Sequence, residues 1–200
     1  MRIIYLSMII ACAAITGCAS NPMLVATNQT LSTPSSNEAQ VVFMRSAFVG
    51  SAISASLFDV STDETKFIGI INNATKVVHK TTPGKHVYMV VSEAADFLEA
   101  NLIGGKTYYS IVTPRMGAWK ARFSLWPIKS DPNADYSLGS NDFQNWLKST
   151  KIVENSPASL QWFENNKTSV DAKRKENWAV WEQKTPDDLA RRTLSPEDGR

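Results

Sequence analysis

The 200-residue sequence predicts a mainly β domain, an antiparallel β-sandwich of immunoglobulin-like or related type, followed by C-terminal α-helices. Two observations carry that expectation. Across residues 40–129, short runs rich in Val, Ile, Phe, Tyr and Thr are separated by turn residues every eight to twelve positions, the spacing of sandwiches and barrels. Beyond residue 130, apolar residues recur at helical spacing behind residues suited to capping a helix.

The chain opens with one positive charge, Arg2, and an apolar run over 3–15 broken only by Ser7. The run is shorter than the roughly 20 apolar residues a membrane span needs, so it reads as a secretory signal peptide. It ends in Ile15, Thr16, Gly17 and Cys18, one aliphatic and two small residues before a cysteine. Residues 18–39 are mostly small and polar, with three Asn and two Pro. Such a composition buries little apolar surface, which predicts a flexible linker with a reach on the order of 25 Å.

Strands are expected over 40–45, 52–59, 66–71, 76–81, 86–92, 97–103, 107–113 and 122–127. Alternation is clearest from Val87 to Val91, where Val87, Met89 and Val91 share one face. Asn72 and Asn73 tolerate the left-handed backbone of a tight hairpin, Pro83 and Gly84 suit a type II turn, and Gly104 and Gly105 mark another turn.

The segment 130–200 reads as a helical extension. Ser140 or Asn141 caps a short helix carrying Phe143, Trp146 and Leu147. Ser156 followed by Pro157 starts a longer one, with Leu160, Phe163, Val170, Trp178 and Trp181 along one side. Lys167 and Arg174 interrupt that side, so its two ends are expected to pack more firmly than its middle. Pro186 stops this helix, Thr185 caps a third one running to about Arg192, and the tail 195–200 is expected to fray.

Composition narrows the partners. Loss of residues 1–17 removes Arg2 and leaves 20 basic against 19 acidic residues, a balance that argues against nucleic acid. Cys12 leaves with the leader, so Cys18 has no disulfide partner and stability must come from an apolar core.

Several landmarks resemble a known family. Residues 15–18 resemble the lipobox of bacterial lipoproteins. The runs Val41-Val42-Phe43-Met44-Arg45, Pro83-Gly84-Lys85-His86 and Gly105-Lys106-Thr107-Tyr108-Tyr109 are similar in order and spacing to the lipoprotein domain-of-unknown-function family numbered 2846. The likeness spans about residues 40–129 and leaves the helical part unmatched. It implies a diacylglyceryl thioether and an N-acyl chain on Cys18, a β-sandwich and no established activity. Ala19 in place of an aspartate after that cysteine implies the outer membrane, with the domain facing the periplasm.

The residues point to no cofactor and no enzyme. His79 and His86 flank the Pro83-Gly84 turn, and with Glu93 they would be the minimum for a metal site; ordinary strand histidines are the preferred reading. There is no G-x-S-x-G elbow, and Gly104-Gly105-Lys106-Thr107 lacks the upstream glycine of a phosphate loop. Asp96 and Glu99 stand three apart on one strand, on opposite faces. Five of six tryptophans lie at or beyond the last expected strand. Most simply they join the helices to the sandwich, while Trp162, Trp178 and Trp181 are the candidate anchors for a partner. Lys167, Lys173, Arg174 and Lys175 form a candidate cationic patch for lipid head groups or glycan. The expected role is a lipid-anchored binding or scaffolding module whose partner is another envelope protein or peptidoglycan. A peptidoglycan-acting enzyme and a purely structural component are the alternatives.

Overall fold

The computed structural model describes residues 21–47, 49–115 and 122–200. Eleven strands and three helices follow in the order β1 (Leu24–Val25), β2 (Ala39–Arg45), β3 (Ala55–Asp59), β4 (Lys66–Ile71), β5 (Thr75–Thr81), β6 (Gly84–Val91), β7 (Ala95–Leu102), β8 (Thr107–Arg115), β9 (Arg122–Pro127), α1 (Asn141–Ser149), β10 (Lys151–Glu154), α2 (Pro157–Trp181), α3 (Pro186–Arg191) and β11 (Thr193–Leu194). A 3-10 turn, Pro196–Asp198, ends the chain. No helix among the described residues is long and apolar enough to cross a membrane.

Two sheets face each other, one ordered β1-β10-β5-β2-β8-β9 and the other β11-β7-β6-β3-β4. Both are mixed, which corrects the expectation of an antiparallel sandwich. β2 runs parallel to β8, β10 parallel to β5, and β11 parallel to β7. The eight expected strands are all present as β2 to β9, and the two sequence-distant additions β10 and β11 come from the part expected to be helical.

The sheets are apolar on both faces. In β2, Val41 and Phe43 enter the shared core between the sheets, while Val42 and Met44 pack outward with Phe143 of α1. In β6, Tyr88 and Val90 face inward, and Met89 and Val91 form the outward face with half-buried Val87, as the alternation predicts. That outward face is covered by α2 through Phe163, Val170, Trp178 and Trp181. The order is therefore α1, sheet, sheet, α2, which explains why every residue of β2 and β3 is buried.

Both long helices begin as their sequence predicts. The Ser140 hydroxyl accepts from the Phe143 N–H, and Ser156 accepts from Ala158 and Ser159 while the Ser159 hydroxyl accepts from the Ser156 N–H. These bonds satisfy orphan donors of the first turn.

Four expectations are corrected. The linker 18–39 is not free from residue 21 onward: Met23 is buried, β1 pairs with β10, and Gln29 exchanges side-chain bonds with the Ile152 backbone. The free edge of β4 draws it in, since the Met23 sulfur accepts from the Ile70 N–H and the Asn155 amide donates to the Ile68 carbonyl. The tail 195–200 does not fray. Asp198 is buried and accepts from Ser130, and Arg200 exchanges two backbone bonds with Thr107. The middle of α2 is held as well as its ends, because Val170 is buried and the Arg174 guanidinium donates to the carbonyls of Val60, Thr62 and Asp63. Finally, the left-handed residue of the β4–β5 turn is Ala74, at φ 56°, and neither asparagine.

Candidate functional site

Where sheet edge, α2 and the incoming N-terminal segment meet, they leave a groove of about 650 Å3. Ile70 of β4 and Val91 of β6 contribute apolar surface from the sheet. Trp162 and Val170 of α2, residues 51–54, and Asn21 and Pro22 of the N-terminal segment also line it. The polar lining is mostly neutral, including Ser54, Ser56, Asn72 and Asn166, with Glu93 and Lys173 the charged residues. A half-apolar cleft of this size with few charges has the character of a ligand site.

Two arrangements hold the groove in shape. Arg45 is fully buried at the end of β2 and donates to the carbonyls of Gly50, Ile53 and Ile71. Its guanidinium lies 4.1 Å from the centre of the Phe123 ring, and burial lowers its pKa to about 10. Arg45 thereby fixes the loop that lines part of the groove. On α2, the Lys173 ammonium donates to the Ser92 carbonyl, and the Trp162 ring packs 6.0 Å from that of Phe67.

A second polar cluster spans the two sheets. Asp59 of β3 and His86 of β6 belong to one sheet and His79 of β5 to the other. The Asp59 Oδ2 lies 3.1 Å from His86 Nδ1 and 3.7 Å from His79 Nε2. His86 Nε2 is 2.9 Å from the Thr82 carbonyl. A neutral imidazole carries one N–H, so donating from both nitrogens to two acceptors requires the imidazolium. The Asp59 bond raises the His86 pKa accordingly, against the opposing effect of burial. Hydrogen bonds from His86 and Ser61, with the His79 ring close by, outweigh burial and hold the Asp59 carboxyl well below the usual carboxylate range.

Ser, His and Asp stand together here without forming a hydrolytic relay. The Ser61 hydroxyl donates to Asp59 Oδ1 and lies 3.3 Å from the same ring nitrogen that Asp59 uses, while Nε2 is turned to a carbonyl. A relay needs nucleophile and carboxylate on opposite nitrogens.

The two histidines come together at Asp59 rather than at Glu93, the carboxylate named as the minimum for a metal site. Glu93 lies past the far end of β6, seven residues or roughly 23 Å of strand from His86. No group of three His, Cys, Asp or Glu among the described residues is arranged to hold a metal ion. Asp96 is buried against Arg192, whose guanidinium sits over the Trp126 ring at 4.3 Å.

The candidate anchors separate. Trp162 is half-buried on the groove. Trp178 is half-buried, meets Phe97 edge-on at 5.0 Å and donates its N–H to Glu182. Trp181 is 4% exposed and packs 5.6 Å from Phe97, which removes it as an anchor: Trp buries a large area, and this one seals the end of α2. Leu160 turns away from the buried stripe and is half exposed. The cationic patch is likewise divided, since Lys173 and Arg174 are committed to backbone carbonyls. Ile15, Thr16, Gly17 and Cys18 lie outside the described residues. Trp162, Val170, Lys173 and Glu93 all line the groove, but no sequence signal joined them, because the lining comes from five separate stretches of chain. No protein-family model matches this chain, and no curated protein matches it.

Proposed function

We propose that this protein is an outer-membrane lipoprotein, anchored through Cys18 and facing the periplasm, whose domain is a non-enzymatic binding module of the 2846 family type. The Trp162 groove takes its ligand, a segment of another envelope protein. The observation that carries this reading is the groove's chemistry, an aromatic side chain and aliphatic surface with neutral hydroxyls and amides around them. Such surfaces concentrate binding energy in one aromatic contact while polar neighbours set orientation. Two carboxylates are already engaged inside the fold, Asp96 by Arg192 and Asp59 beside two histidines, which leaves Glu93 as the carboxylate lining the groove.

Two measurements test it. Mass spectrometry of protein isolated from its native envelope is expected to find Cys18 acylated and the leader gone; a bare thiol there removes the anchor. A photo-crosslinking residue replacing Ser54 is expected to give one discrete protein adduct in the envelope, lost when Trp162→Ala is added and thermal melting shows the fold retained. An adduct that persists in the Trp162→Ala protein overturns the groove as the site.

A further inference from the structure

We propose that the face of the domain around Pro22 docks on the bilayer itself, with the mouth of the groove at head-group level. This rests on the reading of Cys18 as an acylated anchor. The chain is already fixed at Met23, which is buried, and at Pro22, whose carbonyl accepts from the buried Ser156 hydroxyl. Asn21 comes only three residues after Cys18, a span of at most about 11 Å when fully extended. The part of the groove that Asn21 and Pro22 line is therefore held within one short stretch of chain of the membrane.

The surface at that point suits such contact. Leu24 and Val25 follow directly and are 53% and 60% exposed. Ile53 lines the same groove as Pro22 and is 42% exposed. Leu160 is 50% exposed, and its N–H donates to the Ser156 carbonyl, on the residue that also holds Pro22. Apolar side chains presented at an interface enter the boundary of head groups and acyl chains to a depth of roughly 5–10 Å. Val49, 58% exposed, belongs to the same β2–β3 segment as Ile53, whereas Val180 and Ile103 are distant. Val180 lies twenty residues from Leu160 along α2, roughly 30 Å. Ile103 follows the end of β7 that pairs with Gly84, opposite the end where Ala95 pairs with Val91 beside the groove. A groove so placed draws its ligand from the membrane surface, which favours a membrane-resident protein over the peptidoglycan layer.

With Cys12 lost and Cys18 acylated, a single introduced cysteine is the only free thiol of the mature protein. Four full-length variants, Ile53→Cys, Leu160→Cys, Ile103→Cys and Val180→Cys, are purified in acylated form, labelled with an environment-sensitive dye and inserted into phosphatidylethanolamine–phosphatidylglycerol vesicles carrying a head-group nitroxide lipid. Positions 53 and 160 are expected to be quenched roughly twofold more than 103 and 180, as burial at the interface requires. Equal quenching at all four positions, in protein that floats with the vesicles and has the acylated mass, overturns the docking face alone. Protein that fails to float and takes label at Cys18 overturns the anchor beneath it.

Discussion

The carboxylate of Asp59 is held by a histidine from each sheet, with His86 Nδ1 3.1 Å and His79 Nε2 3.7 Å from the same oxygen. The cluster sits where β5 of one sheet passes through Thr82 and Pro83 into β6 of the other, so it fixes that crossing.

Because Asp59 raises the His86 pKa, the bond stabilises the fold fully while an unfolded histidine would also be protonated, below about pH 6.5. The contribution is lost as pH rises through the higher folded value. Asp59, held low, contributes above its ordinary value near 3.9 and loses that contribution as pH falls below it. Lys66 opposes the charged histidine, and Tyr88 stacks on its ring, with a hydroxyl whose pKa burial pushes well up, so it carries no charge in this range. The pair is therefore most stabilising between about pH 4 and 6.5. Thermal melts of wild type and His86→Gln are expected to differ by several degrees at pH 5.5 and to converge toward pH 9. A gap independent of pH would show that the charge is not what stabilises.

Asp96 and Arg192 form a second buried charged contact, both nearly free of solvent. Asp96 also accepts from the Leu125 N–H, and Arg192 also donates to the Phe97 carbonyl, so the pair joins β7, β9 and the C-terminal segment. Removing one partner leaves a buried charge alone, which costs about 3–5 kcal/mol, whereas replacing both by apolar residues of similar size costs far less. Arg192→Met is accordingly expected to lower the urea midpoint sharply. Adding Asp96→Leu to it is expected to restore much of the loss, and a double variant no better than the single one would count against the argument.

Arg45 is the opposite case, a buried cation whose partners are carbonyls and a ring rather than a carboxylate. Hydrogen bonds to a charged group contribute about 1.5–3 kcal/mol each in favourable settings, though burial of the charge offsets part of that. Arg45→Met keeps the bulk and loses the donors. It is expected to destabilise by about 2–3 kcal/mol. It is also expected to speed hydrogen exchange at Ile53, whose N–H is bonded to the Gly50 carbonyl within the same loop. Protection unchanged at Ile53 would show that the loop closes without the guanidinium.

The strand-rich middle was legible because local signals agree there: β-branched runs, alternation in β6 and turn residues at regular spacing coincide with β2 to β9. Helix starts at Ser140 and Ser156 were legible for the same reason, since a cap is decided within four residues. Sheet order was not. The parallel pairings of β2 with β8 and β10 with β5 join segments about 70 residues apart, and nothing in either segment names its partner. Polar composition made residues 21–39 and 195–200 look free, yet they lie on edges that need covering, and a few buried contacts such as Met23, Leu194 and Asp198 hold them. Of the candidate site, Trp162 was legible as a binding residue while Glu93, Val170 and Lys173 were read in other roles, and Asp59 could not be paired with His79 and His86 until the sheets were stacked.

At three turns, backbone geometry makes the presence of one methyl group decide the sign of its effect on stability. Ala74 holds φ 56°, a left-handed conformation in which a Cβ is crowded, and the turn it makes is closed by Thr75 hydrogen bonding to Asn72. Ala74→Gly relieves that crowding and is expected to stabilise by about 0.5–1 kcal/mol. Gly84 holds φ +133° with nothing within 4 Å of the place a methyl group would take, so Gly84→Ala meets only the conformational cost, about 1–3 kcal/mol. Gly104 is a matter of space: a Cβ there would lie 1.8 Å from the Ser36 carbonyl oxygen, in a turn pinned by the Gly105 N–H to Ser35 and Glu38. The backbone must move to admit it, and Gly104→Ala is expected to be the most damaging of the three, at about 3 kcal/mol or more. Urea midpoints of the three variants are expected in the order Ala74→Gly, Gly84→Ala, Gly104→Ala from highest to lowest, and a Gly104→Ala protein as stable as wild type would show that 35–38 does not pack against this turn.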